Sequence, residues 1–149
     1  MKAKDFTLMN QYGKEISLSS FNGKWVVIYF YPKDDTPGCT LEATQFTSMK
    51  KKFEELGVII LGVSPDSKES HCKFIRKHDL EITLLTDPYK ETLRTYGAYG
   101  KKLIYGKEVE GVIRSTFLIN PDGEIAFSWK NVKADGHAQE VFYKLKELV

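Results

Sequence analysis

The chain contains two cysteines, and the first of them stands where a reactive thiol is expected. Cys39 follows a nearly continuous run of β-forming residues and a loop that ends in Pro37 and Gly38. This order predicts that Cys39 lies at the start of a helix, near free backbone N–H groups and the positive end of the helix dipole. Both features stabilise a thiolate, which is the nucleophilic form of cysteine. Gly38 allows a close approach of the backbone, and Pro37 stiffens the entry to the helix.

Two acidic residues precede this cysteine and oppose its ionisation. Asp34 and Asp35 would disfavour a thiolate on Cys39 if their carboxylates pointed at it, because like charges repel. A reactive Cys39 therefore requires a compensating cation. The residues alone also leave open a cysteine that only packs at the start of a helix.

A second group of chemically interesting residues consists of His71, Cys72 and His78. The two histidines share one face of a predicted helix but stand seven residues apart, whereas zinc ligands on a helix more often stand three or four apart. No further pair of cysteines completes a tetrahedral set. We therefore interpret the histidines as core or boundary residues and expect neither a metal nor a cofactor. Cys72 lies close to a right angle from their face, so we expect it at the boundary between core and solvent.

Strands and helices alternate along the chain. A run of β-formers that ends at Pro32 predicts a central strand covered on both faces, and apolar residues at helical spacing predict the helices. We expect an α/β fold of one domain, residues 1–149, with a mixed sheet flanked by helices and an N-terminal β-hairpin. The predicted strands are 6–8, 16–18, 25–31, 58–63, 82–85, 113–119 and 124–129, and the predicted helices are 39–56, 67–79 and a C-terminal helix that includes 138–148.

Charge and hydropathy disfavour several classes of function. The 149 residues carry 22 basic and 20 acidic side chains, which give a net charge of +2. This near balance provides no electrostatic footprint for nucleic acid or for an anionic membrane surface. The longest apolar run is too short to span a bilayer, and the N-terminus lacks the apolar stretch of a signal peptide. Two cysteines do not form a disulfide framework, so we expect a cytoplasmic protein.

The stretch around Cys39 resembles the active-site signature of the peroxiredoxins, which combines Pro32, Thr36 and Cys39 at fixed spacing. The longer run Tyr-Pro-Lys-Asp-Asp-Thr-Pro-Gly-Cys-Thr-Leu-Glu-Ala is similar to the branch called peroxiredoxin Q or bacterioferritin comigratory protein. The resemblance extends along nearly the whole chain, at 62–64, 83–87 and 114–119. It implies an AhpC/TSA-like thiol peroxidase with a thioredoxin-like three-layer fold.

The resemblance also implies roles for individual residues. The thiolate of Cys39 is expected to attack one oxygen of hydrogen peroxide or of an organic hydroperoxide, which leaves a sulfenic acid on the sulfur. Thr36 is expected to give a hydroxyl hydrogen bond to the peroxide, and Arg114 to supply the cation that the thiolate and the peroxide require. The backbone N–H groups of Gly38 and Cys39 complete the cradle. Pro32 is expected to shield the site from water and from over-oxidation.

The family pattern departs at the second cysteine. Many members carry a resolving cysteine five residues after the first, where this chain has Thr44. Other members place it on the helix that here carries Cys72, so the expected resolving step is a Cys39–Cys72 disulfide. Its formation is expected to need local unwinding of the first turn after Cys39 or of the Cys72 helix. Thioredoxin or a similar dithiol is then the expected reductant. The alternative is a one-cysteine cycle resolved by an external thiol, and the resemblance leaves a monomer or a weak homodimer open.

Two other classes of function are weaker interpretations. A thioredoxin-like disulfide oxidoreductase generally needs a Cys-x-x-Cys pair, and Glu42 stands where the second cysteine would be. This position is often acidic or an amide in the family, so Glu42 gives supporting evidence only. A redox-sensing or partner-binding module with a degenerate site is disfavoured by the intact set of Pro32, Thr36, Cys39 and Arg114.

Overall fold

A seven-stranded sheet and a separate two-stranded hairpin form the framework of the protein. The computed structural model describes residues 1–149. The strands are β1 (Thr7–Asn10), β2 (Glu15–Ser17), β3 (Trp25–Phe30), β4 (Val58–Ser64), β5 (Thr83–Thr86), β6 (Tyr99–Ile104), β7 (Lys107–Val112), β8 (Ser115–Ile119) and β9 (Ile125–Trp129). The helices are α1 (Pro37–Ser48), α2 (Lys50–Glu55), α3 (Lys68–His78), α4 (Glu91–Thr95) and α5 (His137–Leu148), with a short 3₁₀ helix at Leu18–Phe21.

The order of strands in the large sheet is β2-β1-β5-β4-β3-β8-β9. Strand β3 runs parallel to β4 and antiparallel to β8, so it occupies an interior position. All of its residues after Trp25 are buried, as expected for a run of β-branched and aromatic residues covered on both faces. The loop before α1 directly follows β3, so the buried position of this strand determines where the loop starts.

Two apolar clusters cover the two faces of the sheet. The face that carries Val27, Tyr29 and Tyr31 packs against residues of α1, α2, α3 and α5. The opposite face carries Val26, Ile28 and Phe30 and packs against the 3₁₀ helix, α4 and the base of the β6–β7 hairpin. This alternation follows from the two-residue repeat of a strand. The prediction of a mixed sheet between layers of helices, opened by a β1–β2 hairpin, is confirmed.

The long first helix was predicted as one element and is interrupted in the structure. It breaks at Met49, where the backbone leaves helical geometry with φ −101° and ψ 4°. The N–H of Met49 donates to the carbonyls of both Gln45 and Phe46 at 3.2 Å. The apolar spacing of Phe46, Met49 and Phe53 continues across this break, which explains why the pattern predicted one helix.

The segment between β5 and β8 was not predicted to contain regular structure. It forms α4 and the β6–β7 hairpin, whose residues from Leu103 to Glu110 are exposed. A hairpin without a buried face produces no alternation of apolar and polar residues, so its sequence resembles a loop.

No helix of the protein is long and apolar enough to cross a membrane.

Candidate active site

The thiol of Cys39 lies at the beginning of α1, as the sequence predicted. Thr36 is the N-cap residue, Pro37 is the first residue of the helix and Cys39 is the third. The backbone N–H groups of Gly38 and Cys39 have no hydrogen-bond partner within the protein. They are two of the donors that the first turn of every helix leaves free. Cys39 is 2% exposed, so the thiol and these donors share a confined site.

Arg114 reaches the thiol from β8, the strand next to β3 in the sheet. It directly precedes β8, which pairs with β3. Residues of β8 alternate between the two faces, and Leu118 packs in the same apolar cluster as Cys39. Arg114 has the same parity as Leu118 and therefore points to this face. Its Nη2 donates to Cys39 Sγ at 3.3 Å, so the expected cation is in contact with the sulfur.

A buried carboxyl group lies behind this arginine. Glu42, one turn after Cys39 on α1, is fully buried, and its Oε1 accepts a hydrogen bond from Arg114 Nη1 at 2.5 Å. Its Oε2 has no partner. Burial raises the pKa of Glu42 to about 7, although Arg114 acts in the opposite direction. Burial alone would lower the pKa of Arg114, but the charges of Glu42 and Cys39 outweigh it and raise that pKa.

Glycine at position 38 leaves room for the close approach of Arg114. A Cβ atom built on Gly38 would lie 3.2 Å from Arg114 Nη2 and 3.9 Å from the Cβ of Ala134. The first contact is shorter than ordinary van der Waals distance, so any side chain here would push the guanidinium away. The sequence predicted that Gly38 permits a close approach, and the group that approaches it is the guanidinium of Arg114.

Thr36 and Pro32 belong to the segment between β3 and α1. The Thr36 hydroxyl donates to the carbonyl of Lys33 at 2.8 Å, and its side chain does not cap the helix. Its hydrogen is therefore engaged, so in this arrangement the hydroxyl can accept a further hydrogen bond but cannot give the one expected for the peroxide. Both Thr36 and Pro32 are half-buried. They are thus partly accessible to solvent, whereas Cys39 is almost fully buried.

Asp34 and Asp35, which would disfavour a thiolate on Cys39 if they pointed at it, point away from it. Asp34 accepts hydrogen bonds from Tyr31 Oη and Ser70 Oγ, and Asp35 accepts one from Lys77 Nζ. Hydrogen bonds from Lys77 and then His78 lower the pKa of Asp35. Both carboxylates are directed towards α3, so Arg114 does not have to compensate for them.

Several known proteins are similar to this chain. The profile of the AhpC/TSA family matches residues 1–128. The chain belongs to the AhpC/TSA family. Among curated relatives, the peroxiredoxin Bcp of Bacillus subtilis (strain 168) is 43% identical over 147 residues, with 99% of this chain and 94% of the relative covered. The peroxiredoxin Bcp of Xanthomonas campestris pv. campestris is 42% identical over 142 residues, with 95% and 89% covered.

Solved structures show the same fold. A trapped intermediate/ligand complex of the Xanthomonas campestris bacterioferritin comigratory protein superposes with a TM-score of 0.91 at 40% identity, with 96% of this chain and 91% of the other covered. A yeast mitochondrial 1-Cys peroxiredoxin reaches a TM-score of 0.84 at 24% identity, with 99% and 74% covered, which supports the fold alone. The protein is therefore a thiol-dependent peroxidase of the peroxiredoxin Q branch, with the thioredoxin-like fold.

The second cysteine of this peroxiredoxin is not brought to the first. Cys72 is half-buried, as predicted, and its Sγ donates to the carbonyl of Gln11 at 2.9 Å. Both cysteines are free thiols. Gln11 follows β1, which lies three strands from β3 in the sheet and hence roughly 14 Å from it. Arg114 draws the Cys39 thiol towards β8, on the side of β3 away from Cys72.

Sequence reasoning did not foresee the group of Asp34, Asp66 and His71, whose polar atoms lie within 4.8 Å of one another. Hydrogen bonds already engage these atoms. Asp66 Oδ2 accepts from the N–H of Asp34 and from the Ser64 hydroxyl, both at 2.8 Å. Nε2 of His71 lies 3.0 Å from the carbonyl of Leu85. The group is thus a buried hydrogen-bonded network that connects the loop before α1 to α3, and the sequence signal for it was an aspartate after β3 together with a histidine facing the core.

Proposed function

We propose that Cys39 is the peroxidatic nucleophile and reduces hydrogen peroxide and organic hydroperoxides. The Cys39 thiolate attacks one peroxide oxygen, the O–O bond breaks, and the other oxygen leaves as hydroxide or alkoxide that takes up a proton. Sulfur is oxidised to a sulfenic acid, and the peroxide is reduced to water or an alcohol. The observation that carries this proposal is the contact of 3.3 Å between Arg114 Nη2 and Cys39 Sγ.

The surrounding groups fit the charge that develops in this reaction. In the transition state, negative charge spreads from the sulfur to the departing oxygen, and preorganised donors stabilise it. Arg114 supplies a fixed positive charge, and the N–H groups of Gly38 and Cys39 are free to donate. We assign Thr36 the role of a hydrogen-bond partner for the peroxide and Pro32 that of a shield against water. Glu42 fixes the guanidinium from behind through Nη1.

For the resolving step we propose that Cys72 attacks the sulfenic acid and forms a Cys39–Cys72 disulfide with release of water. Thioredoxin or a similar dithiol then reduces the disulfide, and such a cycle requires a reducing compartment such as the cytoplasm. Support comes from the half-exposure of Cys72 and from the presence of Thr44 at the nearer position. The step requires local unwinding, because bridged cysteines have Cα atoms within about 7 Å of each other.

A one-cysteine cycle is the second candidate for this step. It is favoured by the hydrogen bond of Cys72 to Gln11, because Gln11 follows β1 and β1 lies three strand positions from β3 in the sheet. In that cycle an external thiol attacks the sulfenic acid of Cys39, forms a mixed disulfide and releases water, and a second external thiol then reduces this disulfide. Cys72 then has no part in turnover.

Peroxide consumption with a thioredoxin system tests the proposal, comparing the parent with Cys39→Ser and Cys72→Ser. We expect no activity from Cys39→Ser, whereas Cys72→Ser should react once with peroxide and then recycle poorly. Undiminished recycling by Cys72→Ser, together with no Cys39–Cys72 bond in peptide mass mapping, would establish the one-cysteine cycle. Activity retained by Cys39→Ser would refute the assignment of the nucleophile.

The role of Arg114 is tested in the first step alone. Arg114→Ala removes one preorganised cationic donor, so we expect the second-order rate of Cys39 oxidation to fall on the order of a hundredfold. Lys133→Ala, which removes an exposed cation from the nearby loop, is the control for a change in net charge and should leave this rate unchanged. Equal rates for the parent and Arg114→Ala would show that the contact with sulfur is not used.

A further inference from the structure

The loop before α1 is tied to α3 by one buried carboxylate. Asp34 Oδ2 lies 2.7 Å from His71 Nδ1 and accepts a hydrogen bond of 2.8 Å from Ser70 Oγ. Its Oδ1 accepts a hydrogen bond of 2.6 Å from Tyr31 Oη. His71 is fully buried, and its other ring nitrogen faces the carbonyl of Leu85. Ser70 and His71 belong to the first turn of α3, immediately before Cys72.

The same contacts turn Cys72 away from the site. Successive residues of an α-helix are rotated by 100° about its axis. Averaged around this axis, the side chains of α3 that contact the loop point in nearly the same direction as Phe74. Cys72 lies about 160° from that direction and donates to Gln11 on the far side. With α3 intact, Cys72 therefore faces away from the loop that leads to Cys39. Opening of the first turn of α3 would remove this constraint on the disulfide.

The other end of α3 is held separately. Asp35 has a left-handed backbone with φ 59° and bonds Lys77 Nζ at 2.7 Å and His78 Nε2 at 2.8 Å. These contacts are solvent-exposed and lie in the last turn of the helix. The first turn can thus unwind while the last turn stays attached to the loop.

We propose that Asp34, Ser70 and His71 are positioning residues of the resolving step. They hold the first turn of α3 wound and thereby set the rate at which the sulfenic acid of Cys39 and the thiol of Cys72 form a disulfide and water. This inference rests on the proposed two-cysteine cycle. None of the three residues contacts Cys39, so the attack on peroxide should not depend on them.

The experiment compares the parent with Ser70→Ala, His71→Asn and the control Ser48→Ala. Ser70→Ala removes a single hydrogen bond to the carboxylate, and His71→Asn keeps a donor for Asp34 but loses the contact with Leu85. Ser48 also donates one hydrogen bond, to the carbonyl of Gln45, but lies at the exposed end of α1. Two quantities are measured: amide hydrogen exchange in the first turn of α3 of the reduced protein, and the rate of disulfide formation after one equivalent of hydrogen peroxide.

We expect faster exchange and a disulfide rate raised on the order of tenfold in Ser70→Ala, a larger change in His71→Asn, and no change in Ser48→Ala. The rate of peroxide attack should stay within about twofold in all of them. The positioning role would be overturned if amide exchange were unchanged, or if exchange were faster while the rate of disulfide formation stayed the same. In either case, a disulfide that still forms in the parent would leave the two-cysteine cycle intact. If no variant forms the disulfide although exchange is faster, the two-cysteine cycle itself fails, and with it the positioning role.

Discussion

Replacing Glu42 by glutamine isolates the energetic consequence of burying a carboxyl group behind Arg114. Glu42 is fully buried, one of its oxygens bonds the guanidinium and the other has no partner. Burial raises its pKa from the ordinary 4.5 to about 7. Glutamine has nearly the same shape and retains an oxygen for Arg114, but it does not titrate. The variant therefore removes the titration without opening a cavity.

The magnitude follows from the linkage between protonation and folding. In the interval between the two pKa values, the folded chain holds the Glu42 proton and the unfolded chain has released it, so the free energy of unfolding falls as the pH rises. Above the folded value of about 7 this contribution stays constant. At 1.36 kcal/mol for each pKa unit, the full change is about 3 kcal/mol.

Urea denaturation measured between about pH 5 and about pH 8 provides the assay. We expect the stability of Glu42→Gln relative to the parent to increase by about 2.5 kcal/mol over this interval, because part of the full change already lies below pH 5. Glu54→Gln is the control, since Glu54 is a largely exposed partner of Lys50 on α2 and should leave the pH dependence unchanged. If the free energy of unfolding depended on pH in the same way in the parent and in Glu42→Gln, the raised pKa of Glu42 would be refuted. So would the conclusion that burial outweighs the effect of Arg114 on this pKa.

Three further substitutions test the geometry of the site and of the core. Gly38→Ala should slow peroxide attack in stopped-flow measurements by about tenfold, because the added methyl group displaces the Arg114 guanidinium; an unchanged rate would contradict the contact of 3.2 Å. Thr36→Val should slow the same step by about a hundredfold while Thr36→Ser retains most of the rate, and equal effects of the two would argue against a role of the hydroxyl. Gly62→Ala places a Cβ 2.8 Å from the Tyr29 ring, so we expect a loss of about 1–3 kcal/mol in urea denaturation; unaltered stability would show that the core can relax there.

The sequence made the position of Cys39 predictable because local features determine it. A buried strand, a loop with Pro37 and Gly38, and an apolar helical repeat lie consecutively in the chain. Arg114 is 75 residues away, and its arrival at the thiol depends on the pairing of β8 with β3. Only the resemblance to the peroxiredoxins indicated it beforehand.

Features that depend on the order of strands were not predictable. A helical wheel placed Cys72 at the boundary of the core correctly, but it did not show which neighbour the thiol contacts. That neighbour is Gln11, because β1 pairs with β5 rather than with β3. Likewise, Asp34 would disfavour a Cys39 thiolate only if its carboxylate pointed at it, and only the packing of α3 beside the loop explains why the carboxylate points elsewhere.

The two ends of the β6–β7 hairpin lie next to each other at its base. The N–H of Ile113 donates to the carbonyl of Ala98 at 2.7 Å, and Tyr99 pairs with Val112 at the base. Because the ends are already closed, the length of the segment beyond them has little influence on closure entropy. Extra residues at the tip would not shift β8 by one position, so Arg114 would keep its face of the sheet. The hairpin is therefore a natural insertion point, where a reporter peptide or an additional module can be grafted without dismantling the peroxide site.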